Sequence, residues 1–280
     1  MKSKHLFGWL LCAAVLLWLL WGNSALEVSR YSIASPRLPA EFEGFRIAQI
    51  SDLHNEEFGR SNEILLRRLE DAAPDIIVLT GDLVDSRDTQ VDIALAFAGQ
   101  AVKIAPCYYV TGNHEARIKE LPDLLEGLAA AGVTVLRNEA VKLERHGGCV
   151  TLLGVDDPNF AYKHSGEAFE KSLRRILSGW QADGQYTILL SHHPELFTLY
   201  AEMGMELVFS GHAHGGQFRL PFVGGIIAPD QGLFPEYDAG VYQSSSTAMV
   251  VSRGLGGSII PLRIHNRPEL VVAELHRQEA

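Results

Sequence analysis

The chain is poor in cysteine. Its 280 residues include three, Cys12, Cys107 and Cys149, and none stands in a Cys-x-x-Cys pair. A cysteine-built zinc site is therefore not expected. Cys107 and Cys149 read as core thiols, with a pairing outside the cytoplasm left open. Positive charge is also scarce. Lys and Arg number 24 against 34 Asp and Glu, for a formal charge of −10. No basic face for duplex nucleic acid is expected. A phosphorylated substrate stays compatible, because bound cations can supply local positive charge. His-Glu-x-x-His does not occur, which removes the commonest zinc-peptidase route. Repeats and low-complexity segments are absent. What is present is a 47% hydrophobic chain, enough for one large domain with a substantial core.

The N-terminus carries Lys2 and Lys4, then an uncharged run of 21 residues from Leu6 to Leu26. As a helix it spans about 31 Å, matching a bilayer core of about 30 Å. Trp18 and Trp21 lie toward its outer end, where indoles favour the interface. Residues 1–27 are expected to be a single-pass anchor in the cell membrane. The leading lysines place the N-terminus in the cytoplasm and the domain outside. The alternative is secretion after signal cleavage near Gly22-Asn23-Ser24, although the apolar run exceeds a usual signal core.

Residues 28–45 read as a linker with a first strand, Val28–Ile33, and the main domain as 46–280. Phe45–Ile50 is a strand ending in Asp52-Leu53-His54. Asp75–Thr80 ends in Gly81-Asp82 and Cys107–Val110 in Gly112-Asn113-His114. Helical spacing over Asn62–Ala72 and Val91–Val102 separates them. Repeated strand-loop-helix units imply a parallel sheet, whose ligands sit at strand C-termini. The second half is richer in strands. Tyr186–Leu190 ends in Ser191-His192-His193, and Glu206–Phe209 ends in Gly211-His212-Ala213-His214-Gly215-Gly216. Thr247–Ser252 and Glu269–Leu275 alternate as strands. The expected fold is α/β, a four-layer α-β-β-α sandwich of two mixed sheets with an N-terminal transmembrane helix.

Each polar cluster has a bland reading on its own: a capping carboxylate, a turn aspartate, a helix start, a buried histidine. Five strand ends bearing oxygen or imidazole ligands make the joint coincidence untenable and point to a metal site. Mixed imidazole and carboxylate donors suit manganese, iron or zinc, with magnesium also open, more than calcium.

The ordered blocks Asp52-x-His54, Gly81-Asp82-x-x-Asp85, Gly112-Asn113-His114-Glu115, His192 and Gly211-His212-x-His214 resemble the calcineurin-like metallophosphoesterases. Flanking residues, among them Ser191–Pro194 and Arg253–Gly257, resemble the membrane-associated bacterial branch. Some members in or near that branch hydrolyse lipid-linked phosphate esters. The resemblance implies two divalent metal ions. Asp52, His54, Asp82 and His214 would hold one, and Asp82, Asn113, His192 and His212 the other, with Asp82 bridging. It implies hydrolysis of a phosphomonoester or phosphodiester by activated water. His114 would contact the phosphate or protonate the leaving oxygen. Asp85 would orient His114 or else be a surface turn residue. His193 is left between packing and substrate contact. Pocket walls are expected over Asn159–His164 and Leu220–Tyr242. The rival functions are a noncatalytic module on the same fold and another metallohydrolase, an amidase or peptidase.

Overall fold

The computed structural model describes residues 2–160, 169–180, 184–257 and 262–278. Chain order is α1 (Lys2–Ser24), β1 (Glu27–Ser35), β2 (Arg46–Ile50), α2 (Glu63–Ala72), β3 (Ile76–Thr80), α3 (Val91–Ala101), β4 (Cys107–Val110), α4 (Leu121–Ala130) and β5 (Thr134–Val135). There follow β6 (Glu139–Arg145), β7 (Gly148–Gly154), α5 (Phe169–Ser178), β8 (Thr187–Leu190), α6 (Phe197–Glu202) and β9 (Leu207–Ser210). The last third holds short β10 (Arg219–Leu220), β11 (Gly224–Gly225), β12 (Ile227–Ala228) and β13 (Gly232–Leu233), then β14 (Gly240–Ser244), β15 (Thr247–Val251) and β16 (Glu269–Arg277).

Two six-stranded sheets result, ordered β1-β16-β2-β3-β4-β5 and β14-β15-β9-β8-β7-β6. Both are mixed. β2 through β5 run parallel, while β16 pairs antiparallel with β2. In the second sheet β7, β8, β9 and β15 run parallel between antiparallel edges. Strand side chains alternate between faces, and the core follows that period. Ile76 and Val78 point between the sheets, whereas Ile77 and Leu79 meet α2 and α3. In β9, Leu207 and Phe209 face the first sheet, and Val208 faces the α5 and α6 layer. Helix, sheet, sheet, helix is thus the layer order, as expected from sequence.

Residues 28–45 are packed into this frame. All nine residues of β1 pair in parallel with β16, and Leu38 and Phe42 are buried between the sheets. The strand was legible. The packing of the following turn was not, because Pro36 and Pro39 signal only a change of direction. α4 is a further element that the sequence reading passed over. Pro122 sits at its start, where a missing N–H costs nothing. Cys107 and Cys149 are free thiols, and burial pushes the Cys107 thiol up to about 12.

α1 is the one helix among the described residues long and apolar enough to cross a membrane, with Phe7–Ser24 as the span. Its C-terminal end is held against the domain. The Asn23 amide donates to the Arg263 carbonyl (3.0 Å) and accepts the Arg263 N–H (2.6 Å). Trp18 meets His265 edge-on, and the Arg267 guanidinium lies 4.7 Å over the Trp21 ring.

Phe209 is fully buried between the sheets, one residue before the segment that turns into Gly211. Phe209→Ala is expected to lower unfolding free energy by about 3–5 kcal/mol. Denaturant titration of the variant against the parent checks this.

Candidate metal centre

The carboxyl ends of β2, β3 and β4 in one sheet meet those of β8 and β9 in the other. Gln49 ties the two together, donating to Thr80 Oγ1 (3.0 Å) and to the Ser210 carbonyl (2.8 Å). Asp52 and His54 leave β2, Asp82 leaves β3, Asn113 and His114 leave β4, His192 leaves β8, and His212 and His214 leave β9. All seven expected ligand residues are buried. Asp52, His54, Asp82, His212 and His214 hold positive φ between 46° and 64°. Left-handed backbone in non-glycine residues costs about 1–3 kcal/mol each and gathers at functional sites. The turns here expose side chains at the strand tips, where regular backbone would alternate them away.

Two glycines permit the convergence. A Cβ at Gly112 would lie 2.3 Å from Asp82 Oδ1, and one at Gly211 would lie 2.5 Å from Asp52 Oδ2. The Gly254–Gly257 turn backs the Asp52 loop. Gly256 N–H donates to the Asp52 carbonyl at 2.7 Å.

The donor geometry is specific. Asp82 Oδ1 accepts the His114 backbone N–H (2.8 Å). Its Oδ2 lies 3.6 Å from His54 Nε2 and 3.2 Å from His192 Nε2. His54 Nε2 and His214 Nε2 face each other at 3.3 Å, with Asp52 Oδ1 3.4 Å from the latter. His192 Nδ1 is 2.7 Å from the Thr80 carbonyl, so that nitrogen carries the proton and Nε2 presents a lone pair. His212 Nε2 is 2.8 Å from Asp230 Oδ2, which leaves its Nδ1 as the free lone pair. Asn113 Oδ1 is buried without a hydrogen-bond partner. A buried amide oxygen without a donor is a costly arrangement, and a cation satisfies it. Three triads gather here, Asp52-His54-His214, His54-Asp82-His114 and Asp82-His192-His212, and each could hold a metal ion.

Charge in the site is arranged to keep lone pairs available. Burial pushes His214 down to about 3 and lowers His54 below the usual imidazole range. Burial would also lower His192, but the Asp82 and Asp52 carboxylates hold it well above that range. A cation between those carboxylates would remove the pull.

His114 is aimed at the same cavity, its ring 4.5 Å from that of His54. The Ser86 N–H donates to its Nδ1 at 2.9 Å. That bond leaves the proton of a neutral ring on Nε2. Asp85 lies 3.5 Å from the same Nδ1 but is engaged with Arg87. Burial pushes the Asp85 carboxyl up, yet the Arg87 hydrogen bonds outweigh it and bring it to about 2.

Several contributors had no readable signal. Glu115 stands in the Asn-His-Glu block, but its task was not apparent. Its carboxylate accepts N–H bonds from Asp82 (2.8 Å), Leu83 (2.8 Å) and Gly112 (2.7 Å), fastening the β3 and β4 loops together. Burial and the Asp82 charge push it up to about 8, against those donors. Next to His192, buried His193 is clasped between Asp157 (2.7 Å) and Glu195 (2.5 Å). Burial opposes its charge, but the two carboxylates raise it to about 9. That charge, 4.3 Å ring to ring from His212, adds to burial in keeping His212 neutral. Asp230 sits in Pro229-Asp230-Gln231-Gly232, which reads only as a turn. Of the expected pocket walls, 161–164 lie outside the described residues.

Residues 45–216, more than half of the chain, match the calcineurin-like phosphoesterase family. The chain belongs to that family. It is 33% identical over 257 residues to the metallophosphoesterase YkuE of Bacillus subtilis, covering 89% of this chain and 85% of that protein. A bovine transmembrane protein with a metallophosphoesterase domain is 31% identical over 87% of this chain, which spans 55% of that relative's length. The phosphodiesterase YaeI of Escherichia coli is 29% identical, over 82% of both chains. The site is thus that of a phosphoesterase family, and its His and Asp clusters could hold metal.

Asp230→Asn is expected to weaken metal binding about 10–100-fold, because the His212 ring loses the carboxylate that orients it. Metal titration of the variant and parent apoproteins checks the loss.

Proposed function

We propose that the chain is a two-cation phosphoesterase. Asp52, His54, Asp82 and His214 hold one divalent ion, and Asp82, Asn113, His192 and His212 hold the other. The observation that carries this reading is Asp82 Oδ2, placed between His54 Nε2 at 3.6 Å and His192 Nε2 at 3.2 Å. One carboxylate oxygen facing two imidazole sets is the group that two cations would share. Such a pair, when bound, supplies Lewis acidity and an activated water near neutral pH. Manganese, iron or zinc suits these donors, with magnesium also accepted.

The chain does the rest. Asp52 and Asp82 offset cation charge, and Asn113 donates a neutral oxygen that limits the negative charge of the site. His114 Nε2–H donates to a phosphate oxygen or to the departing oxygen, with the Ser86 N–H holding the tautomer. The buried walls limit competing water. The substrate is a phosphate ester. The diesterase relative favours a diester, and the docked apolar helix favours a substrate at a membrane, lipid-linked in the reading adopted here. Residues 1–27 act as a retained anchor, with the catalytic domain on the extracytoplasmic side. The Asn23–Arg263 pairing supports retention over cleavage, since it gives the helix end a task within the folded domain.

Two substitutions test the assignment. Asp82→Asn is expected to lower occupancy of both metals and remove most turnover. Full loading with full activity would end the two-cation reading and leave another hydrolase. His114→Ala is expected to keep both metals and lose about 10²–10⁴-fold in kcat, most for poor leaving groups. Elemental analysis with turnover of a phosphomonoester, a phosphodiester and a peptide reads out both variants.

A further inference from the structure

Outside α1, nine large hydrophobic side chains are exposed among the described residues, and six of them fall between Leu220 and Phe234. They sit on two short antiparallel hairpins, β10–β11 and β12–β13, that follow the Gly-His-Ala-His loop. Phe222 is fully exposed, and Phe234 is 65% exposed. Both also hold left-handed backbone, with φ of 67° and 54°. A bulky aromatic there is disfavoured locally and gains no compensating burial within the fold. Neither turn chemistry nor packing accounts for phenylalanine at these positions. An environment outside the protein would.

The neighbouring structure says which environment. β10 is continuous with the loop that grips α1. Phe218 forms a parallel bridge to Ile264, and the Arg219 N–H donates to the Ile264 carbonyl at 3.0 Å. Arg263 and His265, on either side of Ile264, are the residues that hold Asn23 and Trp18. The exposed hairpins and the last turns of the apolar helix therefore share one rigid support. If the helix lies in a bilayer, the support lies at its surface. The chain has a formal charge of −10, so electrostatic attraction to anionic lipid is not the driving term.

We infer that the two hairpins are a second membrane contact, with the Phe222 and Phe234 tips seated in the lipid interface beside the end of α1. This rests on the anchor reading of α1. Burial of these side chains in the acyl boundary supplies the free energy. The hairpins also border the metal centre, since β13 follows Asp230 and the Ile226 N–H donates to the Gly216 carbonyl at 3.0 Å. The contact fixes the mouth of the site at the depth of lipid headgroups, where a membrane-borne phosphate ester presents its phosphate.

The test uses the full chain reconstituted in phosphatidylcholine bilayers. A nitroxide is attached at position 222 or 234 through Phe222→Cys or Phe234→Cys, each with Cys12→Ser and Cys149→Ser. A control label uses His146→Cys, in the exposed β6–β7 turn at the opposite end of the second sheet from His192. Collision with oxygen and with a water-soluble nickel complex reads depth. The expected result is an oxygen-to-nickel ratio several-fold higher at 222 and 234 than at 146. Equal ratios at all three positions would overturn the proposal. A parallel label on native Cys12, with Cys149→Ser, reads the anchor separately. A lipid signal at Cys12 with water signals at 222 and 234 rejects the hairpin contact and keeps the anchor. A water signal at Cys12 rejects the anchor, whatever the hairpins report.

Discussion

The fold turns on one buried carboxylate oxygen, Asp82 Oδ2, lying between an imidazole from each sheet. Taking two aspartates and four histidines out of water is expensive unless their charges are balanced and their lone pairs used. The surrounding structure looks arranged to meet that cost. Asp52 accepts N–H or O–H bonds from His212 and Ser51, Asp82 from His114, and Thr80 holds the His192 proton. Glu115 locks the two loops whose glycine permits the Asp82 contact. Without these fixed donors the strained turns at Asp52, Asp82 and His212 would relax toward regular backbone and the donors would part. The cluster is better understood as a cavity shaped for cations than as a self-sufficient polar core, because Asn113 Oδ1 has no protein partner.

The convergence of the candidate residues was legible for a definite reason. Parallel strands deliver their C-termini to one edge, so polar residues just after apolar runs converge whatever lies between them. Asp52, Asp82, Asn113, His192 and the His212–His214 pair all obey that rule. The residues that steady them do not. Asp230 and Asp157 reach the site from turns remote in sequence, and Ser86 acts through a backbone N–H that any residue would supply. Side-chain type carries no signal for that role. Asp85 illustrates the limit. The resemblance implied a partner for His114 or a surface turn residue; Asp85 lies 3.5 Å from His114 and its hydrogen bonds go to Arg87. The layer order followed from the strand pattern, whereas the packing of Leu38 and Phe42 depended on contacts that local sequence does not encode.

The first sheet also does mechanical work at its outer edge. β1 begins three residues after α1 ends and runs beside β16, which in turn pairs with β2, the strand that ends in Asp52. Three hydrogen-bonded strands thus connect the apolar helix to a ligand loop with no flexible tether between them. Arg253 reinforces the join by pairing with Glu27 and Glu269. A second route runs from Asn23 through Arg263 to Asn266, whose amide donates to the His214 carbonyl at 2.7 Å.

Two short rigid routes between a helix and a metal cluster are more than export or simple retention requires. A long polar linker would keep an enzyme at a membrane with far less construction, raising only its local concentration there. A rigid mount does something a linker cannot: it sets the height and direction of the site relative to the helix axis. That matters when the scissile bond itself has a fixed depth, as a phosphate ester carried on an acyl-anchored molecule does. The part-buried Asn23 pairing and the Trp21–Arg267 stack fix the helix end on the domain, while Phe222 stays exposed on left-handed backbone. In this chain the mount joins the end of the helix to the loops that carry Asp52 and His214.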